Sequence, residues 1–143
     1  MKPSKKVYGF FGGLLTMSQS VLIVEHDPVV LDQLSLYVKD TEFRVQCACD
    51  IEAAMSKLRN HRLPIAIIDW DLPNGDAGEL ISQIRSNHRL RRTHILALST
   101  FSDPVVTEAA MNAGADDFFS LPIGAAELRA RLVWAGSRAQ SIV

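Results

Sequence analysis

From Val21 onward, short apolar runs alternate with segments of helical periodicity. Three runs are apolar at every position, which is typical of central strands in a parallel sheet covered by helices on both faces. Residues 43–47 instead alternate apolar and polar side chains, which predicts an edge strand with one partly wet face. Residues 117–121 predict a fifth short strand. The three continuous runs are residues 21–24, 65–68 and 95–98.

Each predicted strand is followed by apolar residues at helical spacing, and helix boundary signals accompany them. Pro28 suits a first helical turn, and Gly114 suits the end of the fourth helix. The last helix is predicted over residues 125–138. Five strand–helix units in about 120 residues predict a doubly wound α/β sheet. The predicted N-caps are Asp50, Asp76 and Asp103.

Composition narrows the function classes. The chain has 143 residues, of which 48% are hydrophobic and 22% charged, so one globular domain is expected. The net charge of −1 gives no overall basic field for nucleic acid. Cys47 and Cys49 are too few for a disulfide framework, which favours a reducing, cytoplasmic location. No apolar run approaches the roughly 18 residues of a membrane span.

The first twenty residues stand apart from this pattern. Lys2, Lys5 and Lys6 precede an apolar run over residues 7–17, which resembles a secretory signal, although no clear cleavage motif follows. We interpret residues 1–20 as an N-terminal extension, with Met17 as an alternative translation start. A real flexible arm and a targeting segment remain open. The predicted domain then covers residues 21–140.

Polar side chains gather where the predicted strands end. In an open parallel sheet, ligands bind beyond the carboxyl ends of the strands. Acidic groups converging there tend to hold a hard cation or to have a raised carboxylate pKa, and some act only as helix caps. The sequence has no glycine-rich nucleotide loop. The residues at the predicted strand ends are Glu25, His26, Asp27, Asp69, Asp71, Ser99, Thr100 and Leu121.

At these residues the chain resembles the receiver domain of two-component response regulators. The resemblance rests on four stretches and covers residues 21 to about 138. It implies a flavodoxin-like sheet of strand order 2-1-3-4-5 with five helices. The stretches are Val-Leu-Ile-Val-Glu25-His26-Asp27-Pro28, Ile-Ile-Asp69-Trp-Asp71-Leu-Pro-Asn-Gly-Asp76, Ala-Leu-Ser99-Thr100, and Ala-Gly114-Ala-Asp116-Asp117-Phe118 with Pro122.

The resemblance implies that Asp69 accepts a phosphoryl group from a histidine kinase or a phosphotransfer protein. A magnesium ion, a hydroxyl and an ammonium group assist this chemistry in the family. Ser99 keeps the hydroxyl position, and Phe118 holds the place of the switch aromatic. Thr100 replaces a small residue, so it is expected to narrow access to Asp69.

Two positions depart from the family pattern. The second acidic residue of the metal pocket is His26, and imidazole is a poor partner for Mg²⁺. The family lysine is replaced by Leu121, and no lysine occurs after Lys57. Asp27 lies one residue after the position of the family's second acidic residue, and it is still a candidate metal ligand. We therefore expect Mg²⁺ to bind weakly if it binds.

Three functions are consistent with these residues. The first is a degenerate, stand-alone, single-domain response regulator that is not an enzyme and signals mainly through protein contacts. The second is a fully active phosphoreceiver with a rebuilt site. The third and weakest is a phosphatase that forms an aspartyl-phosphate, with Asp71 as general acid. A zinc or copper site at His26 is a further alternative.

The remaining charges suggest partners. We expect a downstream protein target, with no nucleic acid and no membrane. A homodimer is possible because one predicted face carries both signs of charge, at Asp116, Asp117, Glu127, Arg131 and Arg138. A second, basic patch is interpreted as the solvated end of the third helix, and it comprises Arg85, His88, Arg89, Arg91, Arg92 and His94.

Overall fold

The computed structural model describes residues 8–11, 14–17, 19–73 and 75–141, with side chains in 19–73 and 75–139. It has two sheets. The strands are β1 (Tyr8–Phe11), β2 (Leu14–Met17), β3 (Ser20–Val24), β4 (Arg44–Ala48), β5 (Ile65–Asp69), β6 (His94–Ser99) and β7 (Asp117–Ser120). The helices are α1 (Pro28–Lys39), α2 (Ile51–Asn60), α3 (Ala77–Ser86), α4 (Pro104–Ala113) and α5 (Ala125–Ser141).

The five-stranded sheet is parallel, and its order is β4-β3-β5-β6-β7. This is the predicted 2-1-3-4-5 order with five helices, so the fold prediction is confirmed. The edge strand and the last two elements are shifted from their predicted ends by one to three residues. Such shifts are ordinary because helix and strand ends fray.

The ends of the helices form as their capping residues predict. The Asp50 side chain accepts a hydrogen bond from Ala53 N, and Asp103 accepts one from Val105 N. Asp76 caps α3 in the same way. Gly114 ends α4 at φ 121°, a conformation that favours glycine because it carries no Cβ. These predictions are confirmed because each depends only on neighbouring residues.

Hydrophobic side chains cover both faces of the parallel sheet. Strand residues alternate in direction, so Leu22, Ala66 and Ile68 pack on one face with α2, α3 and α4. Ile23 and Ile67 pack on the other face with α1 and α5. Because helices cover both faces, polar side chains can approach the central strands only at the strand ends.

Part of the predicted N-terminal extension forms a separate two-stranded antiparallel ribbon. Strand β1 pairs with β2, with Tyr8 opposite Met17. Residues 1–7, 12, 13 and 18 of the predicted extension lie outside the described residues. The position of the translation start stays a prediction.

The predicted basic patch after α3 is not a single solvated surface, and this prediction is wrong for two of its members. The half-buried Arg85 guanidinium donates to the Gly114 and Thr93 carbonyls and pairs with Asp116 at 2.7 Å. His94 is buried at the start of β6, with Trp134 at its ring edge. Tertiary packing overrides the local charge pattern, because Arg85 reaches the residues before β7 and His94 packs against α5.

His94 makes the free energy of unfolding depend on pH. Burial lowers the pKa of this imidazole below its ordinary 6.5, with Arg138 and Arg85 acting in the same direction and Asp116 and Asp117 against it. The unfolded chain therefore binds the proton more readily, so stability is lost as pH falls below about 6.5. Urea unfolding between pH 7 and pH 5 should show a smaller loss for His94→Gln than for the wild type. The exposed His88→Gln variant is the control, and parallel curves for wild type and His94→Gln would contradict the prediction.

Candidate functional site

The polar residues predicted at the strand ends meet at the carboxyl edge of the parallel sheet. Glu25 directly follows β3, Asp69 ends β5 and Ser99 ends β6. These strands are neighbours in the sheet, which brings their ends together. All three side chains are buried, with relative exposures of 2%, 3% and 0%. A buried carboxylate needs a specific partner, so the hydrogen bonds at this edge define the site.

His26 contacts both buried carboxylates. Its Nδ1 lies 2.7 Å from Asp69 Oδ2 and 3.3 Å from Glu25 Oε1. The imidazole is 41% exposed, so it covers the two acids from the solvent side. The other Asp69 oxygen, Oδ1, accepts a hydrogen bond from Asp71 N at 2.8 Å. Both oxygens of Asp69 are thus engaged within the protein.

Glu25 is the most perturbed acid of the site. Its Oε1 accepts a hydrogen bond from Asp27 N at 3.0 Å, whereas its Oε2 is buried with no hydrogen-bond partner among the described residues. The pKa of Glu25 is raised from 4.5 to about 7, mainly by burial, and Asp69 acts in the same direction. The Asp27 amide and His26 act in the opposite direction. An unpaired buried carboxylate oxygen is costly, which marks this position as a place for a ligand.

Asp71 and Ser99 form a second, adjacent pair. Ser99 Oγ donates to Asp71 Oδ2 at 2.8 Å, and Thr100 N donates to the same oxygen at 3.2 Å. Ser99 Oγ in turn accepts from Phe101 N at 3.0 Å. The sequence placed Asp71 in the metal pocket but did not reveal that its carboxylate binds the hydroxyl. Their proximity follows from the sheet, because Ser99 ends β6 and Asp71 lies two residues after the end of the neighbouring strand β5.

Comparison with known proteins agrees with this geometry. The model of the response regulator receiver domain matches residues 21–133. This chain belongs to the response regulator receiver domain family. Receiver domains of this family act in two-component signalling and are phosphorylated on an aspartate. They interact with histidine kinases or phosphotransfer proteins.

Individual relatives support the assignment of this receiver domain. It is 31% identical to the response regulator GtcR of Aneurinibacillus migulanus over 81% of the chain and 47% of the relative. It is 32% identical to the KDP operon transcriptional regulatory protein KdpE of Escherichia coli (strain K12) over 79% of the chain and 49% of the relative. The chain therefore spans about half the length of these curated relatives.

Solved structures agree with the fold of this receiver domain. The chemotaxis response regulator CheY4 of Vibrio cholerae superposes with a TM-score of 0.77 at 23% identity, over 82% of this chain and 98% of CheY4. This likeness concerns the fold alone. Receiver domains are mainly signalling modules. In the described part of the chain, no helix is long and apolar enough to cross a bilayer.

Receiver domains typically bind Mg²⁺ at an acidic site, and this receiver has an acidic cluster at the matching edge. The donors of the cluster are two carboxylates and one imidazole, from Glu25, Asp69 and His26. Mg²⁺ demands oxygen ligands in a near-ideal octahedron, so the imidazole does not fit it. The Asp27 carboxylate is engaged elsewhere, since it accepts from Val29 N and caps α1. The donor set therefore departs from the one that Mg²⁺ prefers.

Leu121 follows β7 and is partly buried against the apolar cluster beneath α1 and α5. Its amide donates to the Ser99 carbonyl at 2.8 Å, which fixes its backbone beside the site. Phe118 is partly buried and packs on the opposite apolar cluster. Within the described residues, the basic side chain that contacts Asp69 is His26. Leu121 thus places an apolar residue, and no cationic group, next to Ser99 at the end of β7.

The charges proposed for a dimer face are paired within the chain. Arg131 contacts Asp117 at 2.7 Å and Glu127 at 3.0 Å, and burial opposes the rise in Arg131 pKa that these carboxylates cause. Asp116 pairs with Arg85, and the Arg138 guanidinium lies over the Trp134 ring. These pairs hold β7 against α5 and α3. Dimerisation through this face stays a prediction.

Proposed function

We propose that this receiver domain signals mainly through protein contacts, with phosphorylation of Asp69 weak or absent. The observation that carries the proposal is the 2.7 Å contact between His26 Nδ1 and Asp69 Oδ2. A phosphoryl acceptor must offer a carboxylate oxygen to the incoming phosphorus. Here an imidazole contacts one oxygen and the Asp71 amide donates to the other, so each Asp69 oxygen already has one of its two lone-pair sites engaged.

The apolar Leu121 supports the same proposal. The family chemistry uses an ammonium group beside the phosphoryl oxygens, and a charge-assisted hydrogen bond contributes roughly 1.5–3 kcal/mol. Leucine offers no such donor. The Leu121 side chain packs with the apolar cluster beneath α1 and α5, so this position supplies no positive charge for a phosphoryl group on Asp69.

The pairing of Ser99 with Asp71 is the third support. In the family the hydroxyl at this position holds the bound phosphoryl group and shifts when the domain is activated. Here the hydroxyl already donates to a carboxylate oxygen of the chain itself. We infer that the Asp71 carboxylate takes the place of the phosphoryl oxygen at Ser99. The switch would then adopt one state without phosphate.

The signal would in this case be read by a protein that recognises the folded receiver. The candidates are a histidine kinase or phosphotransfer protein on the input side and a downstream protein target on the output side. The competing function is a fully active phosphoreceiver with a rebuilt site. It is favoured by the exposure of His26, because a half-exposed imidazole can rotate away from Asp69.

Phosphorylation of the wild-type protein distinguishes the two functions. The protein is incubated with acetyl phosphate and Mg²⁺, and intact mass is followed for the gain of about 80 Da that a phosphoryl group adds. We expect little or no gain over an hour, with Asp69→Asn as the blank. Rapid, stoichiometric addition at Asp69 would overturn the proposal and support the active phosphoreceiver.

A further inference from the structure

Three metal-ligating side chains converge at the carboxyl edge of the sheet. Glu25, His26 and Asp69 each offer one ligand atom, and these atoms lie within 4.8 Å of one another. The two acids are almost fully buried, with side-chain exposures of 3% and 4%, while the imidazole is half-exposed. A buried pair of acids with an imidazole above it has the composition of a transition-metal site.

We propose that this cluster binds a transition-metal ion of the Zn²⁺ type in preference to Mg²⁺. Imidazole nitrogen and carboxylate oxygen together suit Zn²⁺, which accepts three protein ligands and a water molecule in tetrahedral geometry. Mg²⁺ retains several waters and prefers oxygen ligands in an octahedron. The replacement of a family acid by His26 therefore changes which ion the site selects.

The unpartnered oxygen of Glu25 is an independent observation for a ligand. Glu25 Oε2 is buried and lacks a hydrogen-bond partner among the described residues, although Oε1 is bonded to the Asp27 amide. Buried polar atoms in folded proteins nearly always have a partner. A cation held between Glu25 and Asp69 satisfies this oxygen and reduces the repulsion between the two carboxylates.

The spacing of the donors requires only a small adjustment. Two ligands of a tetrahedral Zn²⁺ lie about 3.4 Å apart, given bond lengths of about 2.1 Å. The His26 Nδ1 atom is 2.7 Å from Asp69 Oδ2 and 3.3 Å from Glu25 Oε1. The exposed imidazole can withdraw from Asp69 by a fraction of an ångström. Any proton on Nδ1 leaves to solvent when the nitrogen binds the metal.

This inference concerns the same pocket as the proposed function, but it does not depend on whether Asp69 accepts phosphate. Metal binding is measured without any phosphoryl donor. A receiver that is phosphorylated could still bind Zn²⁺, and a receiver that is not phosphorylated could fail to bind it. The two proposals can therefore fail separately.

Metal titration of the full chain tests the inference. Cys47 and Cys49 are exposed and would themselves bind Zn²⁺, so the Cys47→Ser/Cys49→Ser protein is the reference. Titration calorimetry should give one Zn²⁺ per chain, with Mg²⁺ bound at least tenfold more weakly. His26→Asp should lose about tenfold or more of the Zn²⁺ affinity and gain affinity for Mg²⁺. Co²⁺ should give the visible absorption of a four-coordinate ion in the reference protein but not in His26→Asp.

The control variant is His88→Ala, which removes an exposed histidine outside the cluster and should leave Zn²⁺ affinity unchanged. Thermal melting by circular dichroism checks that each variant is folded. Because His26 is half-exposed, its replacement should leave the fold intact. Equal Zn²⁺ affinity in the reference and His26→Asp proteins would overturn the inference, as would tighter binding of Mg²⁺ than of Zn²⁺ by the reference.

Discussion

The His26→Asp/Leu121→Lys double variant should accept phosphate from acetyl phosphate on the order of a hundredfold faster than the wild type. Aspartate removes the imidazole from Asp69 and restores an oxygen ligand for Mg²⁺. Lysine supplies a charged donor for the phosphoryl oxygens. Two charge-assisted contacts of roughly 1.5–3 kcal/mol each correspond to a factor of about 10² or more in rate. Intact mass recorded over time in the presence of Mg²⁺ gives the rates.

Matched variants show whether a faster phosphorylation rate comes from the new charged groups or from altered side-chain packing. Each single substitution should give an intermediate rate, and Leu121→Met, which keeps an apolar side chain of similar size, should behave like the wild type. Adding Asp69→Asn to the double variant should abolish the mass gain. If the folded double variant is no faster than the wild type, then His26 and Leu121 are not what limits phosphorylation.

The elements of this fold are predictable because their signals are local. A continuous apolar run predicts a buried strand, and an aspartate before a helical pattern predicts a cap. Asp50 and Asp103 bind backbone amides only two or three residues away, so tertiary structure is not needed to place them. The position of Asp69 at the carboxyl edge follows in the same way from the end of its strand.

The partners within the site are not predictable at the same level. His26 and Asp69 are 43 residues apart, and Ser99 and Asp71 are 28 apart. Strand order brings these residues to the carboxyl edge of the parallel sheet. Side-chain rotamers then decide which carboxylate oxygen accepts a hydrogen bond from which donor. The sequence therefore predicted a single pocket of acids. In the structure, Asp69 and Glu25 contact His26, and Asp71 instead binds Ser99. Asp27 caps α1. The burial of His94 escaped prediction because it depends on the packing of α5.

Replacement of Glu25 by glutamine should stabilise the protein at pH 8 and change little at pH 5. Burial raises the pKa of Glu25 from 4.5 to about 7, so the folded chain holds this proton more tightly than the unfolded chain. The stabilising effect is fully present below pH 4.5 and is lost as pH rises through about 7. A shift of this size corresponds to at most about 3.5 kcal/mol. Glutamine keeps an oxygen for the Asp27 amide but carries no charge to bury.

Urea unfolding at pH 5, 6, 7 and 8 with a chelator present measures this effect without metal. The difference in unfolding free energy between Glu25→Gln and the wild type should grow as pH rises, while the exposed Glu42→Gln control should show a constant difference. His94 acts with the opposite sign below about pH 6.5, but it is present in all three proteins and cancels in the comparison. Asp69 and His26 also remain in each protein. Parallel curves for Glu25→Gln and the wild type would mean that Glu25 is charged in the folded state at pH 5, and that the 2.7 Å and 3.3 Å contacts of His26 already neutralise the pair of acids.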